Sequence, residues 1–324
     1  MMGLAWAVQA QHHRGKVRHD ETLGVDDRER LGAHYTPMAW ARRIVERALM
    51  PLLQWPHGIA CRACHPSALL LDLQIVDPAC GDGVFLAAAA DVVGALLFFA
   101  YQSERRDVSL AEARAEVVRR CILGVDLDPG ALAATRDRLG PDAELICADA
   151  LLDWHFDTAG RPTVFIGNPP FLGGRRISTV LGADYLKRLR KDFPQSNGGA
   201  DLSSYFLMSA AGDLINGKSR GTIGMVFTNT ISQGDTREAG LAPLLRDHGF
   251  LIYAADRDVP WPGKAKVTVS IVHLADKRLS WALWPEQMLE RALEFPWCWL
   301  DDPIPAERLV QLDRLPAQKE ALVA

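Results

Sequence analysis

The sequence predicts an α/β protein built on a doubly wound, mainly parallel sheet. Three observations carry this. Short apolar strands alternate with longer helical segments from residue 71 onward. A glycine-rich turn sits between the first strand and a long helix, at Asp77-Pro78-Ala79-Cys80-Gly81-Asp82-Gly83. Acidic residues then recur at the ends of the next two strands, at Asp126 and Asp149.

Taken in order, residues 1–30 are polar, have no steady period and read as an N-terminal arm. Tyr35-Thr36-Pro37 opens a helical pattern. Ala39, Ile44, Val45, Ala48 and Leu49 fall on one side, with Arg42, Arg43, Glu46 and Arg47 on the other. Residues 54–68, with Pro, Gly, His and Cys, read as a loop. Strands are expected at Leu73–Val76, Ile122–Val125, Glu144–Cys147, Val164–Ile166, Gly221–Phe227 and Val267–His273. Helices are expected at Val84–Gln102, Leu110–Arg120, Gly130–Leu139 and Leu202–Ile215. No repeat or low-complexity segment is evident. The composition changes near residue 276, where Trp281, Trp284, Trp297 and Trp299 occur, so residues 276–324 read as a C-terminal extension beyond a domain at 31–275.

The bulk numbers narrow the class. Of 324 residues, 48% are hydrophobic and 23% charged, which is a globular balance and not a disordered one. The formal charge of -4 means that any nucleic-acid contact must use a local basic patch. Cys80, Cys121 and Cys147 lie in apolar segments that read as core, the pattern of reduced thiols in a cytoplasmic protein. Cys61-x-x-Cys64-His65 has no second ligand pair at metal spacing and reads as a surface loop, so no metal site is expected. No basic segment precedes the mildly apolar first residues, so no secretory leader is expected. The apolar run Val84 to Tyr101 is just long enough to span a bilayer. Its place after a strand and glycine turn, its alanines and Asp91 favour a buried helix, and no membrane partner is expected.

The glycine loop is not G-x-G-x-x-G, and no Lys or Arg follows to suit a phosphate. Gly81 and Gly83 permit a tight turn and a close approach to a ligand. Acids at Asp77 and Asp82 suit a cationic or amino-acid-like ligand better than a pyrophosphate. Asp126 comes first after the second strand, where a ribose diol is usually held. Asp128-Pro129 reads as a helix cap. Asp149, ending the third strand, is placed to accept from an exocyclic amine. Each acid alone is an ordinary cap or loop residue. Three in series make a nucleoside site.

Val164-Phe165-Ile166-Gly167-Asn168-Pro169-Pro170-Phe171 is the most specific signal in the chain. Two prolines stiffen the loop after a buried strand and hold two acceptors, the Asn168 side chain and the Pro169 carbonyl, in fixed directions. Phe171 supplies an aromatic face. An exocyclic amine is a poor nucleophile because its lone pair is delocalised. Two acceptors on its N–H bonds favour a tetrahedral nitrogen whose lone pair can attack a sulfonium methyl. The motif by itself also serves enzymes acting on glutamine side chains or on guanine in RNA.

Tyr35-Thr36-Pro37, the Asp77–Gly83 loop, Asp126, Asp149 and Asn168-Pro169-Pro170-Phe171 occur in the order of gamma-class DNA adenine-N6 methyltransferases. The chain is similar to the methylase part of large type II restriction-modification enzymes and of phage-defence methylases such as that of DISARM. The resemblance covers roughly residues 30 to 275. It implies a seven-stranded sheet of the class I S-adenosylmethionine-dependent methyltransferase type. It implies that Tyr35, Thr36, Pro37, Asp77, Ala79, Gly81, Gly83, Asp126 and Asp149 contact S-adenosylmethionine. Asn168, Pro169, Pro170 and Phe171 would hold an adenine flipped out of double-stranded DNA. The second stacking aromatic of the family, just before a late strand, corresponds to Trp261.

Residues 171–195 hold six basic side chains (Arg175, Arg176, Lys187, Arg188, Arg190, Lys191) against two acids, a net +4 that suits phosphate contacts. Arg175 and Arg176 lie nearest the catalytic loop. Gly173-Gly174 suggests that this segment is mobile and orders on DNA, and the polar run Asn229–Arg237 reads as a loop that reaches toward DNA. Enzymes of this resemblance carry a long recognition region after the last strand and often a nuclease domain before the first helix. Here about fifty residues follow position 275, so a specificity or nuclease subunit is an expected partner. A non-catalytic cofactor- or DNA-binding subunit of a defence complex is the alternative.

Overall fold

The computed structural model describes residues 36–53, 66–196, 199–261, 268–276 and 279. Seven strands form one sheet in the order β3-β2-β1-β4-β5-β7-β6. They are β1 (Gln74–Asp77), β2 (Ile122–Asp126), β3 (Glu144–Cys147), β4 (Thr163–Gly167), β5 (Gly221–Thr228), β6 (Phe250–Pro260) and β7 (Thr268–Asp276). All neighbours from β3 to β5 pair in parallel, and β7 runs antiparallel to both β5 and β6.

Successive side chains in a strand point to opposite faces, so each apolar strand feeds two cores. Ile75, Ile122, Val164, Ile166 and Ile271 face one layer of helices, and Val76, Leu123, Phe165, Ile223 and Leu274 face the other. The first layer contains α1 (Met38–Leu53), α2 (Ser67–Asp72), α3 (Val84–Ser103), α4 (Leu110–Cys121) and α5 (Pro129–Leu139). The second contains α8 (Leu202–Asn216) and the short helical turns between residues 229 and 246. α6 (Gly174–Val180) and α7 (Ala183–Asp192), which like α2 are absent from the sequence reading, form a third cluster with α8 beside the ends of β2 and β3.

Helix α3 is apolar on nearly every side because it is enclosed by the sheet, α1 and α4. Among the described residues it alone is long and apolar enough to cross a membrane, and most of it is buried in this core. Its Asp91 accepts from Arg114 Nε of α4 at 2.6 Å, which explains an acid in so apolar a run. Asp128 caps α5 by accepting from Gly130 N at 2.9 Å, with Pro129 in the first turn, as the sequence predicts.

Strand β6 was not expected, because Asp256-Arg257-Asp258 interrupts its apolar run. It lies at the sheet edge, its register slips at Ile252/Ala254 and Asp256/Val259, and Pro260 closes it. One further expectation fails. Cys147 is exposed, because β3 forms the opposite edge of the sheet. Gly174 is buried at the start of α6, where a Cβ would come within 2.5 Å of the Gly199 carbonyl carbon. Leu202 N donates to Leu172 O at 2.8 Å just beside this crossing. The glycine therefore lets the two ends of the 173–200 insertion pass in contact.

Candidate active site

The strand order reverses between β1 and β4, and loops leaving such a switch point diverge to form a crevice at the carboxyl ends of the strands. The glycine loop leaves β1 there, and Asn168 leaves β4 beside it.

The glycine loop is braced from three directions. Its first acid, Asp77, is 1% exposed and accepts from Ala79 N through Oδ1 at 3.1 Å. Its Oδ2 is buried with no hydrogen-bond partner among the described residues. Burial holds this carboxyl well above the usual range, and Asp126 and Asp82 push it the same way. Gly81 adopts φ 55° and Gly83 φ 78°. The Gly81 N–H donates to Asp126 Oδ2 at 2.8 Å, and the Gly81 carbonyl accepts from Thr135 Oγ1 of α5 at 2.8 Å. A Cβ at Gly83 would lie 2.7 Å from Thr135 Cγ2. Thr135 thus fixes the loop through both contact and hydrogen bond, a role that nothing in the local sequence signals.

Two acids differ from the sequence reading in detail. Asp82 was grouped with Asp77 as a counter-charge for a ligand. It is instead paired with Arg138 of α5, whose Nη2 lies 2.7 Å from Asp82 Oδ2 and whose Nε donates to the Asp82 carbonyl. Asp126 also accepts from Asp128 N through Oδ1 at 2.9 Å, so its carboxylate ties the second strand end to the glycine loop.

Asp149 accepts from Leu151 N at 2.8 Å and Leu152 N at 3.2 Å through one oxygen. The Tyr185 hydroxyl of α7 donates to the same carboxylate, and burial raises the Asp149 carboxyl above its ordinary value. Arg188, one turn on, donates to Leu152 O at 3.2 Å and Asp153 Oδ1 at 2.8 Å. Helix α7 is therefore docked along the loop after β3, with Ala79 of the glycine loop in the same apolar cluster. Arg188 is paired in this docking although exposed, and Arg175, Arg176, Lys187, Arg190 and Lys191 are exposed as well.

In the second loop, Gly167 ends β4 with φ 148°, and a Cβ there would meet Asp77 Oδ1 at 2.6 Å. The glycine is thus what lets the buried acid of β1 lie directly against the chain that delivers Asn168. Asn168 Nδ2 donates to Thr36 Oγ1 at 3.1 Å. Pro169 is buried and Pro170 half-buried. Phe171 (8% exposed) and Trp261 (6%) belong to one apolar cluster, and the Trp261 ring lies 5.6 Å from that of Trp40, tilted by 45°. Trp261 directly follows β6. Thr36 is buried and Pro37 half-buried at the start of α1, while Tyr35 lies outside the described residues. So do Cys61, Cys64 and His65.

The polar run after β5 is structural at its start. Asn229 Nδ2 donates to Asp258 Oδ1 at 2.7 Å and Asn229 Oδ1 accepts from Ser270 Oγ at 2.8 Å, bridging β6 and β7.

Comparison with known proteins places this geometry. Residues 135–284 match the family model of the MmeI DNA-methyltransferase domain. The match takes in Asn168–Phe171 and Trp261, and the resemblance read from the sequence fits it. Among solved structures, the Type IIL restriction-modification enzyme MmeI in complex with DNA superposes with a TM-score of 0.58 at 21% identity, over 79% of this chain and 38% of that one. The DrdV–DNA complex follows with a TM-score of 0.49 at 18% identity, over 77% of this chain and 27% of that one. The chain thus spans well under half the length of these enzymes. The likeness to MmeI is one of fold, the α/β architecture with the seven-stranded sheet described above.

Proposed function

We propose that this domain transfers a methyl group from S-adenosylmethionine to N6 of an adenine flipped out of double-stranded DNA, within a restriction-modification or phage-defence enzyme. The observation that carries the reading is the abutment of the two loops. The Asn168 loop and the glycine loop leave adjacent strands, with Asp77 packed against Gly167 between them.

The residues suit the cofactor. The unpartnered Oδ2 of Asp77 is a buried acceptor at the edge of the glycine loop, fit for an ammonium group. Asp126 would take the ribose diol and Asp149 the adenine amine, with Ala79, Gly81 and Gly83 giving close backbone approach and Thr36 and Pro37 closing the other side. Bound there, the cofactor supplies an electrophilic methyl on a sulfonium. An ammonium against Asp77 would draw its raised carboxyl toward the charged form, and two acids at this site disfavour a pyrophosphate.

The chain's own residues then act on the base. The Asn168 carbonyl oxygen and the Pro169 carbonyl accept from the two N–H bonds of the adenine amine and localise its lone pair. These dipoles are held by the two prolines and by the strand, so they need no reorganisation as charge develops. Phe171 and Trp261 stack on the base and exclude water. The proton becomes acidic only after transfer, so no strong base is required beforehand. Extracting the base costs a few kcal/mol, which stacking and the two hydrogen bonds offset. The exposed cations Arg175, Arg176, Lys187, Arg190 and Lys191 would meet backbone phosphates. Recognition of a particular sequence would come from further domains or a partner subunit, as the share of MmeI left uncovered supports.

The test uses labelled S-adenosylmethionine with duplex DNA, RNA and protein acceptors, and mass spectrometry of the nucleosides. The expected product is N6-methyladenine. Asn168→Ala is expected to abolish transfer while leaving the cofactor Kd within about threefold, since Asn168 contributes to the transition state and not to cofactor binding. Label in RNA or protein alone, or activity surviving Asn168→Ala, would refute the assignment.

A further inference from the structure

We infer that Asn229 is a positioning residue for Trp261: it closes a β-bulge in β6 that turns this ring to the face of the sheet where Phe171 lies. The inference rests on the function proposed above, in which Trp261 stacks on the flipped base.

The pairing of β6 with β7 contains the bulge. Asp256 pairs with Ile271 and Val259 with Val269, so Arg257 and Asp258 together oppose Ser270. Side chains alternate along a strand, so one extra residue exchanges the faces of those that follow it. Without it, Asp258 and Pro260 would continue the face of Asp256. With it, Val259 and Trp261 take that face, and both join the apolar cluster of Val269, Ile271 and Phe171. Helix α1 lies across this same face. His273 Nε2 of β7 meets Ile44 O at 3.1 Å, Thr222 Oγ1 of β5 donates to Ala48 O at 2.6 Å, and Asp256 of β6 accepts from Arg47 Nη1 at 2.6 Å. Trp40 of α1 then packs its ring on that of Trp261.

The bulge carries a backbone cost, and Asn229 fastens it. Asp258 has φ 56°, in the left-handed region that a residue with a Cβ enters only when its surroundings hold it there. Asn229 is the first residue beyond β5, and its amide holds both sides of the bulge. Its Nδ2 donates to Asp258 Oδ1 at 2.7 Å, and its Oδ1 accepts from Ser270 Oγ at 2.8 Å. A carboxylate accepts and does not donate, so Asp258 takes the NH2 end of the amide and leaves the oxygen to the serine hydroxyl. Thr228, just before Asn229, pairs with Val269, and β5 itself pairs with β4. The clamp therefore ties the bulge to the strand beside the one that delivers Asn168. Trp261 stands three residues past Asp258, so a change of register at the bulge reaches the ring directly.

The experiment exchanges the two partners in the full chain. Asn229→Asp keeps the size and the acceptor for Ser270 but sets a carboxylate against Asp258. The double variant, Asn229→Asp with Asp258→Asn, restores one donor and one acceptor in reversed order, and asparagine also tolerates the left-handed φ. Single-turnover methylation of duplex DNA at saturating cofactor is expected to fall roughly five- to fiftyfold in the single variant, from a displaced stacking ring. The double variant should return to within about threefold of wild type. The cofactor Kd by calorimetry should stay within about twofold in both, because β4 lies between β5 and the strand that carries the glycine loop. Fluorotryptophan incorporation gives nine fluorine signals, and Trp261→Phe identifies the one from Trp261. That signal should move in Asn229→Asp and return in the double variant, whatever the activity. Should Asn229→Asp fail to fold, Asn229→Ala removes both bonds without the added charge and carries the same expectations for rate, Kd and signal. A Trp261 signal unmoved in the folded single variant, a double variant no better than the single one, or a Kd that weakens in step with the rate would overturn the inference. If the wild-type chain methylates no DNA, the proposed function fails, and the fluorine signal alone decides whether Asn229 positions Trp261.

Discussion

Gly167→Ala tests the join between the two loops. An added Cβ meets Asp77 Oδ1 at 2.6 Å, well inside van der Waals contact, at a backbone φ of 148°. The conformation alone costs a side chain about 1–2 kcal/mol. The clash adds about 1–3 kcal/mol, because Asp77 is 1% exposed and already bonded to Ala79 N, so it has little room to retreat. The folded state should lose roughly 2–5 kcal/mol, which lowers Tm by roughly 4–20 °C. Displacement of Asp77 should also weaken S-adenosylmethionine binding by about tenfold or more, equivalent to about 1.4 kcal/mol. Gly140→Ala is the control. Gly140 has φ 102° but nothing within 4 Å of its Cβ, so it carries the conformational cost without the clash. Thermal unfolding and calorimetric titration of both variants separate the two contributions. Equal losses in the two variants, with cofactor affinity unchanged in Gly167→Ala, would show that Asp77 yields freely and that the packing argument is wrong.

Two further predictions concern the buried polar groups. Tyr253→Phe leaves the Arg47 carbonyl, already deprived of its helical donor by Pro51, without the hydroxyl that satisfies it. The loss should be roughly 1–3 kcal/mol in urea unfolding, and a change below about 0.5 kcal/mol would mean water or another donor replaces it. Asp213 of α8 accepts from Phe156 N at 3.2 Å, and burial raises its carboxyl from 3.8 to about 8. The folded chain holds that proton where the unfolded chain has lost it, so this group makes stability fall as pH rises from about 4 to 8. Asp213→Asn keeps an acceptor for Phe156 and removes the titration. Its stability relative to wild type should climb steadily across that window, and parallel pH–stability curves would contradict the assignment.

Much of the fold was legible in the sequence because its signals are local. Six of the seven strands and the main helices announce themselves by apolar runs, caps and glycine turns, and the observed boundaries lie within a residue or a few of those read. Strand β6 was hidden because Asp256 is buried only by virtue of Arg47, which lies 209 residues away. Helices α6 and α7 were hidden because their polar faces drew attention to charge and not to period. Their apolar faces, Ile177, Leu189 and the ring of Tyr185, make sense only against α8 and the loop after β3. The close approach at Gly174 was hidden for a similar reason. A glycine for flexibility and a glycine for close approach look alike until the opposing chain is seen.

What the sequence determined by itself was the chemistry of the parts. Proline restricts its own residue and the one before it, so Asn168-Pro169-Pro170-Phe171 specifies a stiff acceptor loop wherever it stands. An apolar strand followed by Gly81 and Gly83 specifies a tight turn into a helix. These are properties of neighbouring residues, so no partner is needed to read them. What only the tertiary structure decided was which parts meet. Strand order set β1 beside β4, and so put Asp77 against Gly167. The docking of α1 onto β5, β6 and β7 put the Thr36 hydroxyl on an amide 132 positions away. Arg138 took Asp82 out of the set of available acids, and Asn229 was claimed by β6 and β7. Such pairings arise from sheet register and helix packing, which sum over the whole chain and leave no mark on any short stretch of it.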